Sequence, residues 1–174
     1  MSCIALSSTI KDCNGNLGGL KEVWIARTED KLSLTSTYNM EVQSMGLTGT
    51  GEFTKLEFSR NSASYDVGYS VDGNGVASWK HSVSLTVNKR VADNMSAIRA
   101  FLDGDKDLTV MVLDNQDQWR LLGWDYGLNS SSANGGIGDS KSAGSAYSIS
   151  LSGTQDKPEY LVDLSAAQSV IPTA

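Results

Sequence analysis

Tyr65, Val67, Tyr69 and Val71 recur at every second position, and so do Val83, Leu85 and Val87 within the run from Trp79 to Asn88. A period of two turns successive side chains to opposite faces, so each run reads as a strand with one apolar face. Between them, Asp72-Gly73-Asn74-Gly75 supplies residues that tolerate the positive φ of a tight hairpin loop. An antiparallel hairpin is therefore expected.

The remaining segments extend this reading. Lys21-Glu22-Val23-Trp24-Ile25-Ala26-Arg27 has the β-branched and aromatic content of a strand. Leu108 to Leu113 is apolar at nearly every position and reads as a buried strand, with Asp114-Asn115-Gln116-Asp117 turning it into a returning strand from Gln118 to Trp124. Ala146 to Ser152 and Tyr160-Leu161-Val162 are further strands. Between Arg90 and Asp103 the period changes: Val91, Met95, Ile98 and Leu102 are spaced by three or four residues, as on one amphipathic helix ended by Gly104. Residues 28–51 read as a long excursion containing one strand. Residues 127–145, mostly Gly, Ser, Asn and Asp, read as a loop without a core of its own. The expected fold is mainly β: an antiparallel β-sandwich or barrel with one flanking α-helix at about residues 91–103. It has an N-terminal arm at 1–20, one β-rich domain at 21–162 and a C-terminal extension at 163–174.

A chain of 174 residues can close one core without a metal or disulfide framework. No stretch approaches the roughly 18 apolar residues that cross a bilayer, so no membrane partner is expected. Met1 to Ser7 lacks the basic start and apolar run of a secretory signal, and a cytoplasmic origin is expected. Cys3 and Cys13 are then expected to stay reduced. The net charge of −6 is uneven: residues 1–100 hold ten acidic and ten basic side chains, whereas residues 101–174 hold ten and four. An acidic surface does not attract phosphate backbones, which argues against a conventional nucleic-acid binder.

The sequence offers little for catalysis. His81 is the chain's one histidine, and it lies on the strand face of Trp79, Val83 and Leu85, as a packed or interface residue does. Neither Gly15-Asn16-Leu17-Gly18-Gly19 nor Gly135-Gly136-Ile137-Gly138-Asp139 is a phosphate-binding glycine loop between strand and helix. Asp103, Asp105 and Asp107 come nearest to a calcium loop but lack its closing glutamate spacing. No enzyme activity, catalytic residue, cofactor or metal is expected. Asp125 between Trp124 and Tyr126 is the most suggestive group for sugar binding, and a carbohydrate-binding β-sandwich module is the alternative outside assembly.

The order of elements, with strands first, then one amphipathic helix at Val91, a strong hairpin from Leu108 to Trp124, and a final strand leaving through Leu151-Ser152-Gly153-Thr154-Gln155-Asp156-Lys157-Pro158, resembles the tail tube and related structural proteins of tailed bacteriophages. The likeness covers residues 21–162 and lies in pattern, not in a fixed motif. It implies a β-sandwich or barrel flanked by the helix, in a virion protein assembled in the bacterial cytoplasm, with six copies to a ring and rings stacked into a tube for DNA ejection. Its partners would be itself, other virion proteins, and DNA as transient cargo. Tail completion, baseplate and capsid decoration are the neighbouring roles. In that family the excursion between early strands tends to reach the next subunit, which makes Leu34, Tyr38, Met40, Val42, Met45 and Leu47 interface candidates; the other reading is a further core strand. A lumen that repels DNA would suit the acidic excess, giving Asp103, Asp105, Asp107, Asp114, Asp117, Asp125 and Asp139 as lumen candidates.

Overall fold

A computed structural model describes residues 18–37, 39–49, 51–58, 61–88, 99, 106–137 and 145–172. They form two sheets. The larger contains β1 (Leu20–Arg27), β2 (Lys31–Ser36), β3 (Glu41–Leu47), β4 (Thr54–Leu56), β7 (Leu108–Asp114), β8 (Trp119–Leu122) and β11 (Tyr160–Val162), in the order β2-β3-β11-β8-β7-β1-β4. The smaller contains β5 (Ala63–Val71), β6 (Ala77–Asn88), β9 (Asn129–Ile137) and β10 (Ser145–Gln155), in the order β5-β6-β10-β9. Every pairing is antiparallel except β3 with β11, where Leu161 faces Glu41 and Val162 faces Val42 in parallel. The mainly β class stands, as two stacked sheets with no closed barrel among the described residues.

Alternation along each strand explains the layering. In β1, Val23 and Ile25 point to one side while Trp24 and Ala26 point to the other; β7 divides Val110 and Val112 from Met111 in the same way. The first set meets Val83, Leu85, Ile149 and Leu151 of the four-stranded sheet and forms the core between the sheets. The second set packs with Val42, Phe53, Trp119, Leu121, Tyr160 and Val162 into another core on the far face of the seven-stranded sheet. A sheet covered on both sides needs apolar residues at consecutive positions, which is why Leu108 to Leu113 shows no alternation.

Three expectations change. The excursion at 28–51 holds two strands: β2 and β3 form a hairpin, with Leu34 opposite Met45. The stretch at 127–145 contains β9, which pairs with β10 from Ser145 opposite Ile137 to Ser152 opposite Asn129. Its side chains are too small and polar to signal a strand, but its backbone groups find partners along β10. The described helix is α1 (Leu164–Val170), capped by Asp163, whose side chain accepts from the Ser165 backbone N–H, and seated through Ala166 and Ala167 on the second core. Seven residues are too few to show a helical period. The expected helix at 91–103 lies outside the described residues apart from Arg99, which is helical.

Candidate assembly surface

The β5–β6 hairpin is built as its sequence demands. Asp72 Oδ1 accepts the backbone N–H groups of Asn74 and Val76, both at 2.9 Å, and Gly75 takes φ +80° to close the loop. From there the strands pair without a register shift from Val71 opposite Ala77 to Ala63 opposite Leu85. Along the apolar face of β5 the cover disappears step by step: Ala63 is buried, Tyr65 and Val67 are half-buried, and Tyr69 and Val71 are 57% and 53% exposed. Val76 at the loop is 61% exposed. Tyr69 lies directly opposite Trp79, with ring centroids 4.9 Å apart and planes tilted by 54°. The apolar face thus continues past the edge of the covering sheet. Exposed apolar side chains clustered on one projection mark an interaction surface more strongly than scattered ones.

The opposite face of the same sheet is different in kind. Ser64, Ser84, Ser150 and Ser132 form one cross-strand row, and Thr86 beside Ser148 begins the next. Hydroxyls meet across strands at 3.2–3.3 Å in Ser70–Ser78, Ser84–Ser150 and Thr86–Ser148. The face is hydroxylated and nearly uncharged, with Asp66 and Lys80 as its ionic members.

His81 is held at the junction of the two sheets. It is 2% exposed, its Nδ1 accepts the Gly123 backbone N–H at 3.3 Å, and its Nε2 donates to the Lys157 carbonyl at 3.0 Å. That pattern fixes a neutral imidazole with its proton on Nε2. Burial holds its pKa below the ordinary 6.5, against weaker opposing effects from the Lys157 carbonyl, Glu159 and Asp125. Both ring nitrogens serve backbone groups, so the imidazole ties strands together. Gln155 plays a similar part beside it, accepting from Tyr126 N–H at 3.0 Å and donating to the Gly127 carbonyl at 2.8 Å.

On β8, the central strand of the seven-stranded sheet, Arg120 contacts Asp114 at 3.4 Å and Glu159 at 3.2 Å, and lies 5.8 Å from the Tyr65 ring centre. A cavity of about 270 Å³ opens beside it, lined in part by Gly19, Leu20, Tyr65 and Gln116. The Arg120 guanidinium is already shared between two carboxylates, so the cavity offers no free cation to an anionic ligand. Among the described residues, no group of three or more His, Cys, Asp or Glu side chains is placed to hold a metal.

The interface candidates are spread through the second core and its margin. Val42 and Met45 are buried in it, Leu34, Met40 and Leu47 pack half-buried against it, and Tyr38 lies outside the described residues. Among the described candidates, the partly exposed apolar surface is that of the three half-buried side chains. Among the described residues, the lumen candidates do not form one patch. Asp107 and Asp114 flank β7 at opposite ends of a strand ~20 Å long. Asp114 is buried and accepts the N–H groups of Gln116 and Gln118, shaping the β7–β8 turn. Asp117 pairs with Lys21 in the same turn, Asp125 approaches the Tyr160 hydroxyl at 3.5 Å, and Asp103, Asp105 and Asp139 lie outside the described residues. Tyr69 and Val71, absent from the candidates, belong to an alternating run in the sequence, but alternation does not reveal where the covering sheet stops, and Val76 lies in the loop outside that run. No protein-family model matches the chain, and no curated protein matches it in sequence.

Proposed function

We propose that this chain is a virion structural protein, a tail tube subunit of a tailed bacteriophage that assembles with copies of itself into stacked rings forming a conduit for DNA ejection. The observation that carries the reading is the bare apolar tip of the β5–β6 hairpin, where Tyr69, Val71 and Val76 stand in solvent on one projection. A lone subunit gains nothing from that exposure, whereas a subunit packed against another buries it. The two-sheet β architecture agrees with the fold that the resemblance implies. DNA passes as cargo, and no cofactor is required.

Electron microscopy and light scattering of the purified full chain test this reading. Rings or tubes support it, and replacing Tyr69 and Val71 by Ser should shift the population towards monomer. A protein that stays monomeric at high concentration and binds glycans would instead favour the sugar-binding alternative. That alternative has one specific observation behind it: Tyr126 is exposed and its hydroxyl donates to Asp156 at 2.7 Å, which sets an aromatic face beside a carboxylate.

A further inference from the structure

We propose that Asn74, in the loop of the β5–β6 hairpin, is a site of spontaneous deamidation, and that its conversion to aspartate or isoaspartate disables the apolar tip beside it. The effect on the tip rests on the self-assembly reading above; the modification itself does not. In the reaction the Gly75 backbone nitrogen gives up its proton and attacks Asn74 Cγ. A new C–N bond closes a five-membered imide, and the carboxamide nitrogen leaves as ammonia. Water then opens the imide at one of its two carbonyls, leaving either an aspartyl residue or an isoaspartyl one whose main chain runs through the side-chain carbon. A following glycine favours the attack because no Cβ shields the nitrogen. The rest depends on whether the chain can bend that nitrogen onto Cγ.

Asp72-Gly73, Asn74-Gly75 and Asn134-Gly135 lie among the described residues, and the structure separates them. Asp72 Oδ1 is held by the Asn74 and Val76 N–H groups, both at 2.9 Å, and a carboxylate resists nucleophilic attack. The Asn74 carboxamide makes no hydrogen bond among the described residues. Asn134 and Asn74 are both exposed, so exposure does not distinguish them. Backbone pairing does. Asn134 pairs with Ser148 and Gly136 with Ala146 on β10, which keeps the chain between them pleated, its side chain standing out of the plane that holds the next nitrogen. The Tyr147 ring also covers Gly135, 2.5 Å from where a Cβ would stand, and leaves an imide no room. At Gly75 nothing lies within 4 Å of the same point. Its amide is tied by one bond, to the Asp72 carbonyl at 3.0 Å, in an exposed loop where local opening costs little. Either product sets a second carboxylate two residues from Asp72, beside Val76, and charge is depleted from the centres of interfaces. Isoaspartate also lengthens the main chain inside the turn that Asp72 closes, and so disturbs the spacing that lets one oxygen reach both N–H groups.

The test holds the full chain near neutral pH and samples it over time, beside the same chain unfolded in guanidinium chloride. Cleavage after Lys and Arg puts Asn74 and Asn134 in separate peptides, 61–80 and 121–141, and fragmentation locates the amide-to-acid mass gain within each. In denaturant the two sites should convert alike. In the folded chain Asn74 should convert at least ~10-fold faster than Asn134. Asn74→Gln, whose longer side chain closes a ring far more slowly, should remove the gain at the tip. Equal slowing of both sites on folding, or conversion of Asn134 first, overturns the site. The effect on the tip is read from a partly converted sample: deamidated chains should be depleted from assemblies and enriched among monomers. Equal shares in both fractions overturn that effect. A wild-type chain that never assembles overturns the self-assembly reading, while the peptide map still decides whether Asn74 is the site.

Discussion

The seven-stranded sheet is apolar on both faces, with Val110 and Val112 of β7 in one core and Met111 in the other. The four-stranded sheet is apolar on one face and hydroxylated on the other, and its apolar face outruns its cover at Tyr69 and Val71. The first sheet has spent its apolar surface inside the subunit; the second retains some for contacts outside it. Stability should therefore depend mainly on the first and association mainly on the second, a division that substitutions can break.

The largest effect is expected from Leu121→Ala, which removes a fully buried side chain from the second core of the larger sheet. Unfolding in urea should show a loss of about 3 kcal/mol or more. Gly153→Ala comes next. Its Cβ would collide with the Gly127 carbonyl, which is backbone and cannot swing aside, so a loss of about 2 kcal/mol is expected from the same measurement. The third effect depends on pH and tests the joint between the sheets. Above pH 6.5 His81 is neutral whether the chain is folded or unfolded, and its contribution is full. As pH falls below 6.5, the unfolded chain takes up a proton that burial denies the folded one, so stability drops until folded His81 titrates in turn. Urea midpoints measured from about pH 7.5 down to 5.5 should fall for the wild type and stay flatter for His81→Gln. The smallest effect on stability belongs to Tyr69→Ser at the hairpin tip, within about 0.5 kcal/mol, although the same change should weaken assembly. A large loss of stability there would mean that the tip belongs to the subunit core and would remove the contrast between the sheets.

Much of this architecture is legible in the sequence where side chains decide it. Tyr65 to Val71 and Trp79 to Asn88 alternate because one face is wet, and Leu108 to Leu113 does not because both faces are dry. The reading fails where the backbone decides. β9 has almost no side-chain signal, and it is defined by its backbone pairing along β10, whose Tyr147, Ile149 and Leu151 alternate. Val42 and Met45 are apolar for the sake of a core on the far side of the larger sheet, and nothing local distinguishes that use from an interface. α1 is set by a capping aspartate and two small buried alanines, a pattern too short to show a period.

The placing of β11 has a consequence for synthesis. Tyr160–Val162 is the final strand in the chain, yet it lies between β3 and β8 in the middle of the larger sheet. Until those residues leave the ribosome, β3 lacks the strand that, among the described residues, joins it to β8. The sheet therefore closes late and through contacts distant in sequence, which slows folding and prolongs the time that unpaired strands are open to other chains. Without Tyr160–Val162 the described order divides into a two-stranded piece, β2-β3, and a four-stranded one, β8-β7-β1-β4, so three residues splice the larger sheet together.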